Sequence, residues 1–220
     1  MFEPPPVEYR DVTELILIRH GETDWNVEQR IQGHLDIPLN RAGLAQAEAI
    51  GSRFRDIKID VLLSSDLCRA LQTVAHVSES CNLPVLREAR LRERHLGILQ
   101  GKTREEAEQQ TPEAFKVFRS RVSDAPLDEG ESLVAFAQRV LDLLAELTLV
   151  YRDKRIVAVT HGGVLDIIYR YANKTPLEAP RTFPIPNASV STFRIENGHL
   201  NMLDWSDISH LLDASVLDDV

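Results

Sequence analysis

The chain has 220 residues, of which 43% are hydrophobic and 27% are charged, and this balance is typical of one globular domain. Its formal net charge of -9 argues against a nucleic-acid-binding surface, and no apolar run is long enough to span a membrane. The start of the chain lacks the apolar core of a signal peptide, and Cys68 and Cys81 form neither a disulfide framework nor a metal-ligand pattern. We therefore expect a cytoplasmic protein.

The first half of the chain alternates between predicted strands and helices. Residues 1–13 include three consecutive prolines and are predicted to form an extended arm. The apolar run "ELILI" then predicts a buried strand, and Asn40 is the expected N-cap of a helix at "RAGLAQAEAIGSRFRDI". A strand at "IDVLLSS", a helix at "DLCRALQTVAHVSESC" and a short strand at "LPVLRE" follow.

The second half begins with a charged segment that contains two helix starts. Thr103 and Glu106 form a capping box, and Thr111 precedes Pro112. We therefore predict a helical insertion at about 97–130, lying over one end of the sheet and shaping the active site. Beyond it, a long amphipathic helix at "GESLVAFAQRVLDLLAELTLVYRD", a buried strand at "RIVAVT" and a helix at "GVLDIIYRYAN" are predicted.

The last predicted element is a β-hairpin. Asn197-Gly198 lies between two strand-like runs in "SVSTFRIENGHLNMLDW". Together the elements predict a three-layer α/β domain at residues 14–204, with a mainly parallel twisted sheet, helices on both faces and an antiparallel edge hairpin. An acidic tail is predicted at 205–220. The exposed edge of the hairpin leaves pairing into a homo-oligomer open.

Two of the predicted strands end in the same dipeptide. The run "LILIRHGE" ends in His20-Gly21, and "RIVAVTHGG" contains His161-Gly162. In doubly wound sheets, ligands bind outside the carboxyl ends of the strands, near the point where strand order reverses. We therefore expect the two imidazoles to meet in one pocket, although they are far apart in sequence.

Two arginines and a glutamate suggest what that pocket binds. Arg19 precedes the first histidine, and Arg69 lies in the first turn of a helix, whose N-terminus favours anions. Glu93, in "LRERHLG", follows the third strand. Cleavage of a phosphate ester requires a nucleophile, stabilisation of the phosphoryl oxygens and a proton donor. A neutral imidazole and a carboxylic acid are suitable for the first and last of these tasks.

Each of these residues also has a structural explanation when it is taken alone. A histidine at a strand end can be hydrogen-bonded in a loop, and Arg69 can be a solvated surface residue. Glu93 lies among Arg90, Arg92 and Arg94, which is compatible with a surface charge cluster. The functional interpretation therefore depends on the whole set.

The whole set resembles one family. The segment "LIRHGETDWN" is similar to the signature of the histidine phosphatase superfamily, in its phosphoglycerate-mutase-like branch. The segments "GHLDIPLNRAGLAQAEAI", "SSDLCRALQT", "LRERHLG", "GES" and "VTHGG" resemble further motifs of that family, in the family's order. The resemblance covers roughly residues 14–195.

The resemblance implies a role for each residue. His20 would be the nucleophile that becomes phosphohistidine, and Glu93 would be the acid that later activates water. The phosphoryl oxygens would be held by the other matching residues, with no metal or other cofactor, because cationic side chains take the place of an ion. That set consists of Arg19, Asn26, Arg69 and His161, with Gln32 and Gly33 in a loop that contacts the substrate.

The family includes both phosphatases and mutases. The segment from 97 to 130 is short and has no adjacent pair of arginines of the kind that grips the substrate in the mutases. Gly163 stands where those mutases usually have Asn, whereas "ERHLGILQGKT" stays close to the mutase form. We expect a metal-independent phosphomonoester hydrolase acting on a small phosphorylated metabolite, with a phosphoglycerate mutase-type transferase as the alternative.

Two other classes of protein fit the sequence less well. A phospholigand-binding module would need neither His20 nor Glu93. A metallohydrolase using His20 and His161 with Asp24 or Asp166 would lack the usual ligand spacing. The identity of the substrate stays open, and the insertion and the loop "TFPIPNAS" are expected to shape the side of the leaving group.

Overall fold

The computed structural model describes residues 12–212, and within them six strands form one sheet in the order β3-β2-β4-β1-β5-β6. The strands are β1 Val12–Arg19, β2 Val61–Ser64, β3 Leu86–Arg87, β4 Arg155–Thr160, β5 Val190–Glu196 and β6 His199–Asp207.

The helices are α1 Asp24–Val27, α2 Arg41–Phe54, α3 Cys68–Cys81, α4 Arg104–Gln110, α5 Pro112–Ser120, α6 Leu133–Val150, α7 Gly162–Ala172 and α8 Ser209–Leu212. Two 3-10 turns, Ala89–Leu91 and Gly97–Leu99, lie between β3 and α4.

The sheet has the predicted mixture of parallel and antiparallel strands. β1 pairs in parallel with β4, β4 with β2, and β2 with β3, whereas β5 and β6 form an antiparallel hairpin beside β1. β1 and β4 are neighbours although two other strands separate them in sequence, so the chain reverses its strand order there. This arrangement confirms the predicted mainly parallel sheet with an edge hairpin and creates the crevice in which ligands bind in such sheets.

Helices cover both faces of the sheet because β1 and β4 are apolar on both sides. Leu15, Leu17, Ile156 and Ala158 pack on one face, against α6 and α7. Ile16, Ile18, Val157 and Val159 face the other way and pack against α2, α3 and α8. A continuous apolar run is therefore what a doubly covered parallel strand requires, and the three-layer prediction is confirmed.

The helix starts follow the capping signals. The side chain of Asn40 accepts a hydrogen bond from the backbone N–H of Gly43 at 2.8 Å, which satisfies one of the free donors at the start of α2. Thr103 and Glu106 form both hydrogen bonds of the predicted capping box at α4. α5 begins at Pro112, where the missing N–H costs nothing.

The insertion carries α4 and α5 on a small core of its own. Leu99, Ala107, Phe115 and Leu127 are buried in that core together with Ile31 from the loop after α1. Arg30, in the same loop, binds the carboxylate of Glu106 at 2.8 Å. The insertion is therefore attached to the segment that follows the first histidine motif.

Both predicted boundaries of the domain need correction. β1 begins at Val12, two residues before the predicted start, and residues 1–11 of the predicted arm lie outside the described part of the chain. The tail was predicted to begin at 205, but β6 continues to Asp207 and α8 follows. Trp205 packs against Tyr169 and Leu211 is buried, so apolar contacts hold this segment on the domain. The rest of the predicted tail, 213–220, is not described.

Hydropathy along the described helices gives no candidate for a membrane span, since none of them is both long and apolar enough to cross a bilayer.

Candidate active site

β1 and β4 bring the two predicted histidines together. The last paired residues of these adjacent parallel strands are Arg19 and Thr160, and the histidines follow directly. The ring centroids of His20 and His161 lie 5.1 Å apart. The predicted meeting of the two imidazoles at the carboxyl edge of the sheet is therefore confirmed.

His20 is arranged as a neutral imidazole. Its Nδ1 lies 2.7 Å from the backbone oxygen of Gly21, and because that oxygen can only accept, Nδ1 carries the proton and Nε2 keeps its lone pair. Burial, followed by the charges of Arg69 and Arg19, lowers the pKa of His20 well below its usual value of 6.5. The side chain is only 3% exposed but lines a cavity. His20 can therefore act as a nucleophile at neutral pH.

His161 is buried completely, behind the cavity wall. Its Nδ1 accepts a hydrogen bond from Nε of Arg69 at 3.2 Å, so the proton lies on Nε2, which is 2.8 Å from Oγ of Ser65. Burial, Arg69 and then His20 lower its pKa well below 6.5. Both ring nitrogens are thus engaged by protein groups, and Ser65, which had no predicted role, is one of them.

Arg69 is held rigidly below the cavity. Its two terminal nitrogens donate to the backbone oxygens of Leu35 and Gly33, each at 2.8 Å. With Nε donating to His161, two of the five guanidinium N–H bonds are left for a ligand. The predicted anion site at the start of α3 needs correction, because the carboxylate of Asp36 accepts the N–H of Cys68 at 2.6 Å. Arg69 contributes its side chain instead.

Arg19 supplies a second guanidinium. One terminal nitrogen donates to the backbone oxygen of Ile185, and its Nε is buried without a partner in the described part of the chain. Burial lowers the pKa of Arg19 to about 10, and the nearby charge of Glu93 opposes this shift. Arg19 therefore keeps its charge at neutral pH, and its unpaired donor is suited to an anionic ligand.

Glu93 lies against the start of α7. Its carboxylate oxygens accept hydrogen bonds from the backbone N–H groups of Arg94 at 2.8 Å and Gly163 at 2.9 Å. Its backbone oxygen accepts from Nε2 of His34 at 2.7 Å and from Arg139 at 3.2 Å. A Cβ atom at Gly163 would lie 2.0 Å from Oε1 of Glu93, so any other residue there requires the end of the Glu93 side chain to shift.

Three more predicted residues line the same cavity. Oδ1 of Asn26 accepts from the backbone N–H of Thr23 at 3.1 Å, and this leaves the amide N–H groups of Asn26 available. Oε1 of Gln32 is buried without a partner in the described residues. Gly33 has φ +52° and presents its carbonyl oxygen to Arg69. Gly33 therefore helps to hold Arg69, which lines the same cavity.

The cavity in front of His20 has a volume of about 840 Å³ and is strongly basic. Eight arginines and four carboxylates line it, in a chain whose net charge is -9. The insertion forms much of its wall, as predicted, through Phe115 and Phe118. The arginines are Arg19, Arg30, Arg69, Arg94, Arg104, Arg119, Arg121 and Arg181.

The loop "TFPIPNAS" lies elsewhere than predicted. Residues 182–189 are absent from the lining of the cavity, whereas Pro180 and Arg181 contribute to it. The loop instead packs behind the end of β1, where Ile185 accepts from Arg19 and Asn187 donates to the backbone oxygen of His20 at 3.1 Å. No sequence pattern marked Asn187, because a loop asparagine carries no periodicity.

The donor set is poorly suited to a metal ion. Among residues 12–212, no three His, Cys, Asp or Glu side chains are grouped as metal ligands. Asp166, which the metallohydrolase alternative would use, binds Arg121 at 2.7 Å and Arg170 at 3.0 Å through the same oxygen. His161 is bonded to protein groups through both ring nitrogens, and His20 through Nδ1.

Acid is expected to destabilise the fold through these histidines. Below about pH 6.5 the unfolded chain protonates His20 and His161, whereas the native protein keeps them neutral because both native pKa values are lowered. The free energy of unfolding should therefore fall as the pH drops below 6.5, by about 1.4 kcal/mol per pH unit for each imidazole. Urea unfolding at a series of pH values measures this slope, and His161→Gln should remove one share of it. A slope unaffected by that substitution would contradict the assignment.

Comparisons with known proteins identify the family of this chain. Residues 15–208 match the histidine phosphatase superfamily (branch 1). Phosphoglycerate mutase-like protein 4 of Arabidopsis thaliana is 40% identical over 211 residues, which cover 94% of this chain and 90% of that protein. Metal-independent phosphoserine phosphatase of Arabidopsis thaliana is 37% identical over 210 residues, covering 94% of this chain and 87% of the relative.

A solved structure shares the fold. Phosphoserine phosphatase from Entamoeba histolytica, in complex with 3-phosphoglyceric acid, superimposes with a TM-score of 0.81 and 30% identity. The match covers 90% of this chain and 99% of that one. The family match over most of the chain, these relatives and the order of the motifs lead to one conclusion: the chain belongs to the histidine phosphatase superfamily, branch 1.

Proposed function

We propose that this chain is a metal-independent phosphomonoester hydrolase that acts through a phosphohistidine at His20. The observation that carries the proposal is the placing of a neutral His20, the buried Arg69, the half-buried Arg19 and Glu93 around one end of a basic cavity. The arrangement provides a nucleophile, donors for phosphoryl oxygens and a proton donor, which are the three requirements for cleaving a phosphate ester.

In the first step, the lone pair on Nε2 of His20 attacks phosphorus. The bond between phosphorus and the ester oxygen breaks, and that oxygen takes a proton as it leaves, which Glu93 supplies when its carboxyl group is in the protonated, neutral form. Arg19, Arg69 and the amide of Asn26 would hold the phosphoryl oxygens. Their donors are already oriented by protein contacts, so little reorganisation is needed as charge develops.

In the second step, water attacks the phosphohistidine. Glu93 accepts a proton from the water, the bond between phosphorus and nitrogen breaks, and the electron pair returns to Nε2. His161 also belongs to the proposed set of phosphate ligands. Its Nε2–H donates to Ser65 in the structure and would turn to donate to a phosphoryl oxygen. Gln32 and Gly33 complete the proposed contacts from the loop after α1.

The lack of a side chain at Gly163 favours hydrolysis over phosphoryl transfer between substrates. The mutases that resemble this chain usually carry Asn there, and a Cβ at this position would require the carboxylate of Glu93 to shift. The two Arabidopsis relatives carry both kinds of name, a mutase-like protein and a phosphatase. The space that glycine leaves for Glu93 is the structural feature that supports the phosphatase.

The leaving group is proposed to carry a carboxylate. Arg94 is 7% exposed, its Nε donates to the backbone oxygen of Glu131, and its terminal nitrogens have no carboxylate partner in the described residues. The guanidinium of Arg121 lines the same cavity and is fixed by Asp166. The named substrate of one relative, phosphoserine, and the 3-phosphoglyceric acid bound to another both contain a carboxylate.

A panel of phosphomonoesters tests this function, with free phosphate and isomerised product measured in the same reactions. We expect phosphate release from phosphoserine and 3-phosphoglycerate to outrun isomerisation. Phosphoethanolamine lacks only the carboxylate of phosphoserine, and its kcat/KM should be lower by about 10- to 100-fold, as expected for the loss of a charge-assisted hydrogen bond. Isomerisation of phosphoglycerate faster than phosphate release would replace the proposal with a mutase.

A cytoplasmic location is also proposed, because both cysteines are free thiols in the structure and such thiols suit a reducing compartment.

A further inference from the structure

The amide of Asn187 lies at the centre of the phosphate site without reaching the cavity. Its Nδ2 is 3.1 Å from the backbone oxygen of His20, 3.2 Å from that of Gly21 and 3.2 Å from Oδ1 of Asn26. All three neighbours can only accept, so the orientation of the Asn187 amide is fixed by its surroundings. The two N–H bonds of one side chain from a distant loop are thus shared among three acceptors of the first histidine motif.

The contact with Asn26 adds to two donors of Thr23, its backbone N–H and its hydroxyl, in setting which end of the Asn26 amide faces the cavity. Oδ1 of Asn26 accepts hydrogen bonds from the backbone N–H of Thr23 and from Nδ2 of Asn187. The amide of Asn26 cannot turn over without placing its own NH2 group against these donors. Its N–H groups are therefore left for the cavity, which Asn26 lines.

The contact with Gly21 acts on the nucleophile. The backbone oxygen of Gly21 accepts the proton on Nδ1 of His20, and this hydrogen bond keeps the lone pair on Nε2. Asn187 binds the same oxygen and also the backbone oxygen of His20. Displacing Asn187 would remove a donor that holds the Gly21 carbonyl group. That carbonyl group sets both the tautomer and the direction of the His20 imidazole.

The loop around Asn187 is built to hold it there. The following residue, Ala188, is buried and has φ +59°, a conformation that non-glycine residues rarely adopt. Its backbone N–H donates to the backbone oxygen of His20 at 3.2 Å, and Arg19 donates to Ile185 two positions earlier in the loop. An unusual backbone conformation beside a catalytic group points to a functional constraint.

We propose that Asn187 is a positioning residue for phosphoryl transfer. It sets the donor face of Asn26 toward the phosphoryl oxygens and, through Gly21, fixes Nε2 of His20 in line with phosphorus. The proposal rests on the proposed function, since it assigns no chemistry to Asn187 itself.

The test compares Asn187→Asp and Asn187→Ala with the wild type. The aspartate keeps the shape of the side chain but puts an oxygen against three acceptors, whereas the alanine only removes the donor. We expect kcat on the preferred substrate to fall by about 100-fold for Asn187→Asp and by less for Asn187→Ala, with KM changing less than about threefold, because misplacing a reacting group lowers the rate more than binding. Asn201→Asp, an exposed change of the same charge on β6, should match the wild type.

Inhibition constants separate positioning from a loss of folding. Orthovanadate mimics the pentavalent phosphorus of the transition state, so its inhibition constant should rise in Asn187→Asp by about the same factor as kcat/KM falls. The constant for inorganic phosphate, a product, should change little. All measurements are made where circular dichroism shows each variant to be folded.

The outcomes distinguish this proposal from the proposed function. An inactive wild type would remove the proposed function. An active wild type with equal kcat in a folded Asn187→Asp, or with equal losses of vanadate and phosphate binding, would overturn only the role of Asn187. A double-mutant cycle with Asn26→Ala adds a further check, since a positioning role through Asn26 requires the two losses to be less than additive.

Discussion

Replacing His20 with alanine should reduce kcat by on the order of 10⁶-fold, because the proposed reaction has no other nucleophile. The neighbouring His161 does not substitute for it, since both of its ring nitrogens are engaged by Arg69 and Ser65. Phosphate release under saturating substrate measures the loss. EDTA should leave the wild-type rate unchanged.

The proposed intermediate gives a second readout for this variant. The wild type incubated briefly with labelled substrate and quenched in alkali should retain label on the protein, and the label should be lost in acid, as expected for a phosphorus–nitrogen bond. His20→Ala should retain none. His199→Ala, an exposed substitution on β6, is the matched control. Turnover by a folded His20→Ala at the wild-type rate would show that the nucleophile is wrongly assigned.

Replacing Gly163 with alanine should lower kcat as much as removing the carboxylate of Glu93. The added Cβ would lie 2.0 Å from Oε1 of Glu93, so the end of the Glu93 side chain must move away from its present position. Removing a general acid typically costs about 10²- to 10⁴-fold, and we expect a fall in kcat of this size for both Gly163→Ala and Glu93→Gln on an alkyl phosphate.

A substrate whose leaving group needs no proton distinguishes the role of Glu93 as an acid from its role as a base. The nitrophenolate of p-nitrophenyl phosphate leaves without protonation, so the first step should stay fast in both variants, whereas the second step still needs a base. A burst of about one nitrophenolate per active site, followed by slow turnover, is the expected signature. Gly163→Ala should have no further effect in a Glu93→Ala background. An additional loss there would show that Gly163 acts on something other than Glu93.

The sequence was informative wherever local physics dominates. The apolar runs of β1 and β4 specify doubly covered strands because every side chain in them is buried, and Asn40, Thr103 and Pro112 specify helix starts because capping involves residues only three positions apart. The meeting of His20 and His161 also followed from the sequence, since the ends of parallel strands lie at one edge.

Several features of the site depended on contacts between distant segments. Asp36 rather than a ligand satisfies the N–H of Cys68, and Ser65 binds His161. The loop around Asn187 lies behind β1 and not along the cavity. These contacts have no periodicity or spacing, so composition and pattern could not indicate them.

The C-terminal end of the domain likewise depends on contacts between distant segments. The residues after 204 are acidic and were expected to form a tail, yet Trp205 packs against Tyr169 and Asp207 binds Arg53 at 2.6 Å. Charge alone does not distinguish a solvated tail from a segment whose few apolar residues reach the core.

The sequence by itself determined the α/β fold, the two strand ends and the candidates for the reacting groups, because these follow from hydrophobic periodicity and from the chemistry of each side chain. Only the tertiary structure decided how those groups are held. It sets the tautomer of His20, the hydrogen bond between Glu93 and the backbone of Gly163, and the contact of the Asn187 amide with Asn26. Such hydrogen bonds require atoms within about 3 Å, and that proximity is created only when strands, helices and loops from distant parts of the chain pack together.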